Sequence, residues 1–323
     1  MAKVNSAIGI EYNSHEIKAV EIVKEIDGSC RVSAFGREII GETVMHNGMI
    51  SDSAVFSTAI NDLLAKGGFN VASPVVVGVN NENVIMRYAT FPKVPDDKLR
   101  SVITMQAQDF IPVPVAELGL DFVVIDETVD DDDQPALNVL LVGARNIMLQ
   151  NLLQSFQETK LEIVEIDSAF LAWCRAVIDT VSEEETTGFF MLTDDVLNFV
   201  AICDKEIKMV RSINIPDRAT VEVKKAFNHP EELISTELDT ITDLLYSELS
   251  SSINYFQMQT GFMINSVVFD AATSVEDVLV EKLSEKSYIP IAVSKFCGEF
   301  STESFDATDY AGCISLAKIA LEG

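Results

Sequence analysis

Four consecutive aspartates at 130–133 are the densest set of oxygen ligands in the sequence, and such a cluster is chemically able to hold a divalent cation. No spaced ligand pattern follows them, so the run is read as the solvated tip of a hairpin. The three histidines, His15, His46 and His229, are too scattered to propose a metal cluster. Five cysteines (Cys30, Cys174, Cys203, Cys297 and Cys313) are odd in number and form no C-x-x-C pair. Most sit among apolar residues, which fits reduced, buried thiols better than a disulfide framework or a zinc site. No G-x-S-x-G, Walker loop or metal-ligand spacing occurs. The remaining polar positions lie in turns between apolar runs, and their use depends on the elements around them.

The 323 residues are enough for two domains with a sizeable core. Hydrophobic residues make up 48% and charged residues 23%, the balance of a folded globular chain. Asp and Glu number 51 against 23 Lys and Arg, a net charge of −28. That field repels nucleic acid and anionic lipid and attracts basic partners. Solubility, salt adaptation and a basic partner each account for it. No apolar run reaches membrane-spanning length, and the N-terminus lacks the apolar core of a signal peptide. The C-terminal end lacks a basic amphipathic extension that would lie on lipid. A cytoplasmic protein without direct membrane insertion is expected.

Strands are read at 4–10 and 17–23 around a polar turn, then at 30–39 after Asp27-Gly28. Ser51 or Ser53 caps a helix through Leu64 that ends at Gly67-Gly68, and 75–79 is a buried strand. The order partly recurs: strands at 188–192, 197–203 and 207–215, a helix at about 231–258, and a strand at 266–269. That helix carries Ile234, Leu238, Ile241, Leu245, Leu249, Ile253 and Phe256 at core-facing spacing. A helix at 275–283, a strand at 289–293 and a terminal helix at 310–321 follow. Between the halves, 87–162 reads as an insertion. It holds a helix from Pro95-Asp96-Asp97 through Phe110, stopped by Pro112 and Pro114, then strands near 118–125 and 137–142 and a helix at 147–159. The expectation is a duplicated two-domain α/β architecture.

One segment carries a specific resemblance. Phe91-Pro92-Lys93-Val94-Pro95, then Leu99, Gln106 and Ile111-Pro112-Val113-Pro114 with Glu117 and Asp121, resembles the signature of the PilM family of type IV pilus assembly proteins. Val139 through Arg145, 161–175, 251–259, Ile8-Gly9-Ile10 and 17–21 are similar to further family segments, so the resemblance runs over nearly the whole chain. It implies an actin-like (ribonuclease H-like) α/β fold related to the cell-division protein FtsA, with an α+β subdomain inserted in the first domain. The expected division is 1–86 plus about 163–186 for the first domain, 87–162 for the insert and 187–323 for the second, with about 217–264 as a smaller helical subdomain. It also implies a groove beside the insert that takes the N-terminal tail of the membrane protein PilN. Candidate groove residues are Arg87, Gln106, Phe110 and Ile111, the last two also suited to core packing.

Actin-like proteins cradle phosphates with one turn loop per domain and hold adenosine near a glycine pair. Backbone N–H groups must come close to phosphate, which glycine permits, and a carboxylate holds water on magnesium. Where the family's first loop has D-x-G-S, this chain has Glu11-Tyr12-Asn13-Ser14, with Lys18 at a matching position. Either that loop still touches a phosphate or it is an ordinary polar turn. Where the second loop has D-I-G-A-S-T, the chain has Met191-Leu192-Thr193-Asp194-Asp195-Val196. Asp195 and its neighbour would face the phosphates, and two like charges about 4 Å apart cost roughly 1 kcal/mol in water and more in a cleft. The glycine pair is replaced at Ala271 and Ala272.

The expected function is therefore a PilM-like scaffold of a type IV pilus, competence or secretion machine, without ATPase activity or cofactor. It would bind a PilN-like tail and contact the assembly ATPase. A working Mg-ATP-binding actin-like ATPase is the alternative. A GspL-like secretion component is a third reading, disfavoured because those proteins carry a membrane span.

Overall fold

The computed structural model describes residues 5–130, 132–271, 273–296, 300 and 305–322. Strands β1 (Ser6–Tyr12), β2 (Glu16–Lys24) and β3 (Cys30–Ile39) form an antiparallel meander. Two short strands, β4 (Met45–His46) and β5 (Met49–Ile50), lead into helix α1 (Ser53–Gly67). The cap of α1 is neither flanking serine but Asp52, whose carboxylate accepts the Val55 N–H at 3.0 Å. Gly68 closes the helix in the left-handed region at φ 71°. Strand β6 (Val75–Val79) is buried throughout and runs parallel to β1.

The insert opens earlier than its sequence suggests. Strand β7 (Val84–Pro92) carries Phe91-Pro92 at its end, and helix α2 (Asp96–Gln106) begins right after Pro95. A 3-10 turn at Ala107–Asp109 finishes this helix before Phe110. Strands β8 (Leu118–Val129) and β9 (Pro135–Arg145) complete a three-stranded antiparallel sheet in the order β7-β9-β8. Asp130 accepts the N–H groups of Asp132 and Gln134 and so closes the hairpin between β8 and β9. Ala89, Phe91, Ile103, Ala107, Ile111, Leu137, Val139 and Leu141 form the insert's core. Helix α3 (Asn146–Phe156), expected within the insert, packs Met148, Leu152 and Phe156 into the first lobe instead.

Strand β10 (Ile163–Ser168) and helix α4 (Ala169–Val177) precede the second lobe. There β11 (Thr187–Leu192), β12 (Val196–Cys203) and β13 (Glu206–Asn214) form another meander. Helix α5 (Asp217–Asn228), which falls in the segment expected to be helical but was given no bounds of its own, is followed by α6 (Ser235–Thr260). Pro230 opens a separate 3-10 turn, so α6 starts at Ser235 rather than 231, and Ile234 is left exposed outside it. Strand β14 (Ser266–Asp270), helix α7 (Thr273–Lys286), strand β15 (Ile291–Val293) and helix α8 (Ala311–Glu322) end the chain.

The two five-stranded sheets have matching orders, β3-β2-β1-β6-β10 and β13-β12-β11-β14-β15. In each, a meander is followed by two parallel strands, so the duplication expected from the strand pattern is present. In the first lobe, α1 and α3 cover one face through Phe56, Ile60, Leu152 and Phe156. In the second, α5, α6 and α7 cover one face through Val223, Leu245, Phe256 and Leu279. Helix α4 fills the space between lobes, where Phe170 and Trp173 meet Phe189 and Val200.

Helix α8 departs from the expected division. It lies in the second half of the chain, yet Cys313, Ile314 and Ala317 pack on Val20 and Ile22 of the first sheet. The fit depends on Gly9: a Cβ there would lie 1.9 Å from the Cys313 carbonyl oxygen. Strand and helix approach so closely because β1 has no side chain at that point.

Candidate functional site

Two connected clefts separate the lobes. The smaller, of about 400 Å3, is lined by Glu11, Asn13, Lys18, Met191, Thr193, Asp270 and Ala271, among others. The larger, of about 750 Å3, is lined by Asn13, Ser14 and Asp195 together with the β6–β7 turn and α5. Nearly every position singled out for the nucleotide site thus borders one opening between the lobes. Ala272 lies outside the described residues.

The first loop is a self-satisfied turn. Asn13 does not take a left-handed backbone. Its side-chain oxygen accepts the N–H groups of His15 at 2.8 Å and Glu16 at 2.9 Å, so it caps its own hairpin. Glu11 points the other way, onto α8. A Cβ at Gly312 would lie 1.8 Å from Glu11 Oε1, so only glycine leaves room for this carboxylate. The Cys313 thiol donates to Glu11 Oε2 at 3.5 Å. Burial, outweighing the attraction of Lys18, raises the Glu11 pKa to about 7. Lys18 itself donates to the Asp309 carbonyl at 3.1 Å and lies 3.6 Å from Glu16. Burial works to lower its pKa, but Glu16 and Glu11 keep the ammonium charged. Ser14 differs from these residues: its hydroxyl is buried and has no hydrogen-bond partner.

The second loop is also turned inward. Thr193 Oγ1 accepts the Val196 N–H at 3.1 Å and lies 3.1 Å from Asp195 Oδ1. Asp195 Oδ2 accepts the backbone N–H of Glu82, across the cleft, at 3.2 Å. Burial, then the neighbouring charge of Asp194, raises the Asp195 pKa to about 7. At the carboxylate position, Met191 offers only its sulfur, which accepts from Asn80 at 3.3 Å. Behind it, Asn198 donates to Asn80 Oδ1 at 2.6 Å, and Ser212 donates to Asn198 at 2.8 Å. This buried chain ties the second sheet to the β6–β7 turn.

At the end of β14, Asp270 accepts from Ser294 at 2.9 Å, and Glu276 accepts the Ala271 N–H at 3.0 Å. Burial raises Asp270 to about 6. It raises Glu276 to about 8, with the Asp270 charge adding to the effect. The larger cleft is further lined by Glu42, Glu82, Asp194, Asp217 and Glu232, against Lys224 and Lys225. Such a surface repels a polyanion. Across its mouth, His229 Nε2 lies 2.7 Å from Glu42 and His15 lies 3.3 Å from Asn228. His229 with Glu231 and Glu232 is the one metal-compatible group among the described residues, and all three are exposed.

Sequence reasoning did not single out Glu82, Asn80, Asn198, Glu276 or Gly312. The run Asn80-Asn81-Glu82-Asn83, polar directly after an apolar strand, was the available signal for the first two. The others meet the site only through contacts between distant segments.

A second concavity, of about 700 Å3, runs between the edge strand β8 of the insert and the edge strand β10 of the first sheet. Val123 and Val164 line it and are exposed, and Leu120, Phe122 and Leu153 extend the apolar lining. Charged pairs flank it, Arg100 with Asp121 at 2.8 Å and Arg175 with Asp167. None of the four groove candidates lines it. Arg87 donates to the Met86 carbonyl at 2.8 Å, and burial with the nearby Arg211 charge lowers its pKa. Ile111 is in the insert's core, Phe110 packs on Phe91 at 5.2 Å between ring centroids, and Gln106 ends α2.

A family profile described as type IV pilus assembly protein PilM matches residues 9–212. A solved PilM-PilN type IV pilus biogenesis complex is similar at 17% identity and a TM-score of 0.80, covering 99% of this chain and 100% of that one. A Bacteroides thetaiotaomicron protein with an actin-like ATPase fold is similar at 7% identity and a TM-score of 0.50, covering 96% and 95%. With the duplicated sheets, these likenesses show an actin-like two-domain fold.

Proposed function

Because the chain belongs to the PilM family of type IV pilus assembly proteins, we propose that it is a binding scaffold of a pilus-type machine rather than an ATPase. In this reading the groove between β8 and β10 takes the cytoplasmic N-terminal tail of a PilN-like membrane protein. That partner holds the chain at the inner face of the membrane, where it contacts the assembly ATPase. One observation carries the reading: in the cleft Asp195 takes up the Glu82 N–H and carboxylates crowd the lining, while the groove presents exposed Val123 and Val164 flanked by charged pairs. A tail with apolar side chains between charged ones suits such a lining. Calorimetric titration with that tail tests the proposal.

The nucleotide-binding reading keeps one observation in its favour. Ser14 has a buried hydroxyl without a partner at the cleft, where a phosphate oxygen would accept from it. Met191 at the magnesium-water position and the carboxylates around the cleft weigh against it. Among the described residues no helix is long and apolar enough to cross a membrane.

A further inference from the structure

Far apart in the sequence, the three histidines all border the clefts between the lobes. Helix α5 ends at Asn228, whose side-chain oxygen lies 3.3 Å from the ring of His15 in the first lobe. His229 follows, and its ring reaches Glu42, between β3 and β4, at 2.7 Å. The 3-10 turn Pro230–Glu232 then folds back, with the Glu232 N–H donating to the His229 carbonyl at 3.0 Å. In this turn one potential ligand atom from each of His229, Glu231 and Glu232 lies within 4.8 Å of the other two.

The contacts assign the two ring nitrogens of His229. An ionised carboxylate only accepts, so Nε2, at 2.7 Å from Glu42, carries a proton. In the neutral ring Nδ1 is then a bare lone pair. It faces Glu231 Oε1 at 3.9 Å, too far for a hydrogen bond. Two electron-pair donors thus oppose each other across a gap, with the Glu232 carboxylate close to both. A carboxylate that holds one ring N–H and leaves the other nitrogen free is the usual support of a metal-ligating histidine.

The surroundings favour a cation. Glu42, Glu82, Asp194, Asp217 and Glu232 line the same cleft, and of its two lysines Lys225 is already paired with Glu237 at 3.0 Å. The field that repels a polyanion draws a divalent cation in. The ring nitrogen decides its class. Magnesium and calcium take oxygen ligands, whereas imidazole with carboxylates suits zinc and its neighbours. Tetrahedral bonds of about 2.0–2.1 Å place ligand atoms about 3.3 Å apart. Both glutamates are exposed, so small rotations of their side chains close that spacing.

We propose that His229 Nδ1, Glu231 and Glu232 bind a zinc-class divalent ion at the mouth of the cleft, with Glu42 orienting the histidine and water completing the coordination. The ligands belong to the second lobe and the orienting carboxylate to the first, so the ion strengthens the contact between them. The site shares no residue with the β8–β10 groove.

Calorimetric titration of Zn2+ into the full chain, first treated with chelator, tests the site. Uptake of about one ion per chain is expected, weakened about tenfold or more by His229→Ala and by the pair Glu231→Gln and Glu232→Gln. Glu42→Ala, which removes only the orienting carboxylate, should weaken it about tenfold. All four positions are exposed, and circular dichroism confirms that the variants fold. Zn2+ should also slow amide exchange at both 40–44 and 229–233, and not in His229→Ala. No uptake, the result for an imidazolium merely paired with Glu42 and Glu231, overturns the proposal. Uptake unchanged in His229→Ala does so too, because thiols or other groups then hold the ion. Displacement of Zn2+ by an equal concentration of Mg2+ would reveal a diffuse acidic surface and likewise overturn it. Protection confined to 229–233 overturns the link between the lobes.

Discussion

The carboxylate of Asp195, on the hairpin of the second lobe, accepts the backbone N–H of Glu82 in the first lobe at 3.2 Å. A loop that would face a phosphate in a nucleotide-binding relative here supplies its own carboxyl oxygen to the opposite lobe. The cleft is held by the chain itself, with the Asn80–Asn198 pair behind and the His229–Glu42 pair in front.

Replacing Asp195 with alanine removes the acceptor and leaves the Glu82 N–H in the cleft. A loss of about 1–2 kcal/mol in unfolding free energy is expected. Amide exchange should accelerate at 80–84 while the sheets stay protected. Unchanged exchange in that turn would contradict a clamp role.

Gly312 makes room for Glu11 on α8. Gly312→Ala forces a methyl into the Glu11 carboxylate and should cost about 1–3 kcal/mol by urea denaturation. Combining it with Glu11→Ala should recover much of that loss, because the clash is shared by the pair. Simple additivity would show that α8 does not press on Glu11.

Glu11, Asp195, Asp270 and Glu276 are raised to about 7, 7, 6 and 8 by burial. Each binds its proton more tightly folded than unfolded. The stability they contribute is full below their unfolded values near 4 and is lost as pH rises through about 6 to 8. The urea midpoint should therefore be higher at about pH 5.5 than at about pH 8.5. Self-repulsion of the −28 charge acts in the same direction but is screened by about 1 M salt, so the trend should persist there. Glu11→Gln and Glu276→Gln should each flatten it.

Much of the fold was legible because local rules agree with global ones. The valine-rich stretch of β6, the glycines ending α1 and the stripe of α6 each declare their element. The seat of α8 was not legible, because nothing in its own residues says which lobe it meets; that depends on Gly9, some 300 positions earlier. Helix α5 was covered only by the expected helical segment at about 217–264, its own bounds hidden between the turn signals of Pro216 and Pro230. At the site, the altered loops at Glu11, Met191 and Thr193 could be read. The inward use of Asp195 could not, since its partner is a backbone N–H with no residue type to betray it.

Mg-ATP at millimolar concentration should leave the melting temperature unchanged, because a ligand that does not bind the folded state adds no stability. A rise of several degrees, lost in Ser14→Ala, would restore the nucleotide-binding reading.

The most direct measurement is calorimetric titration of a PilN-like N-terminal tail peptide into this chain and into its Val123→Glu and Val164→Glu variants. Binding on the order of micromolar, about −8 kcal/mol, is expected for the unaltered chain, weakened at least tenfold in each variant and indifferent to Mg-ATP. No heat from any such tail, or equal binding by the variants, would contradict a scaffold that works through this groove.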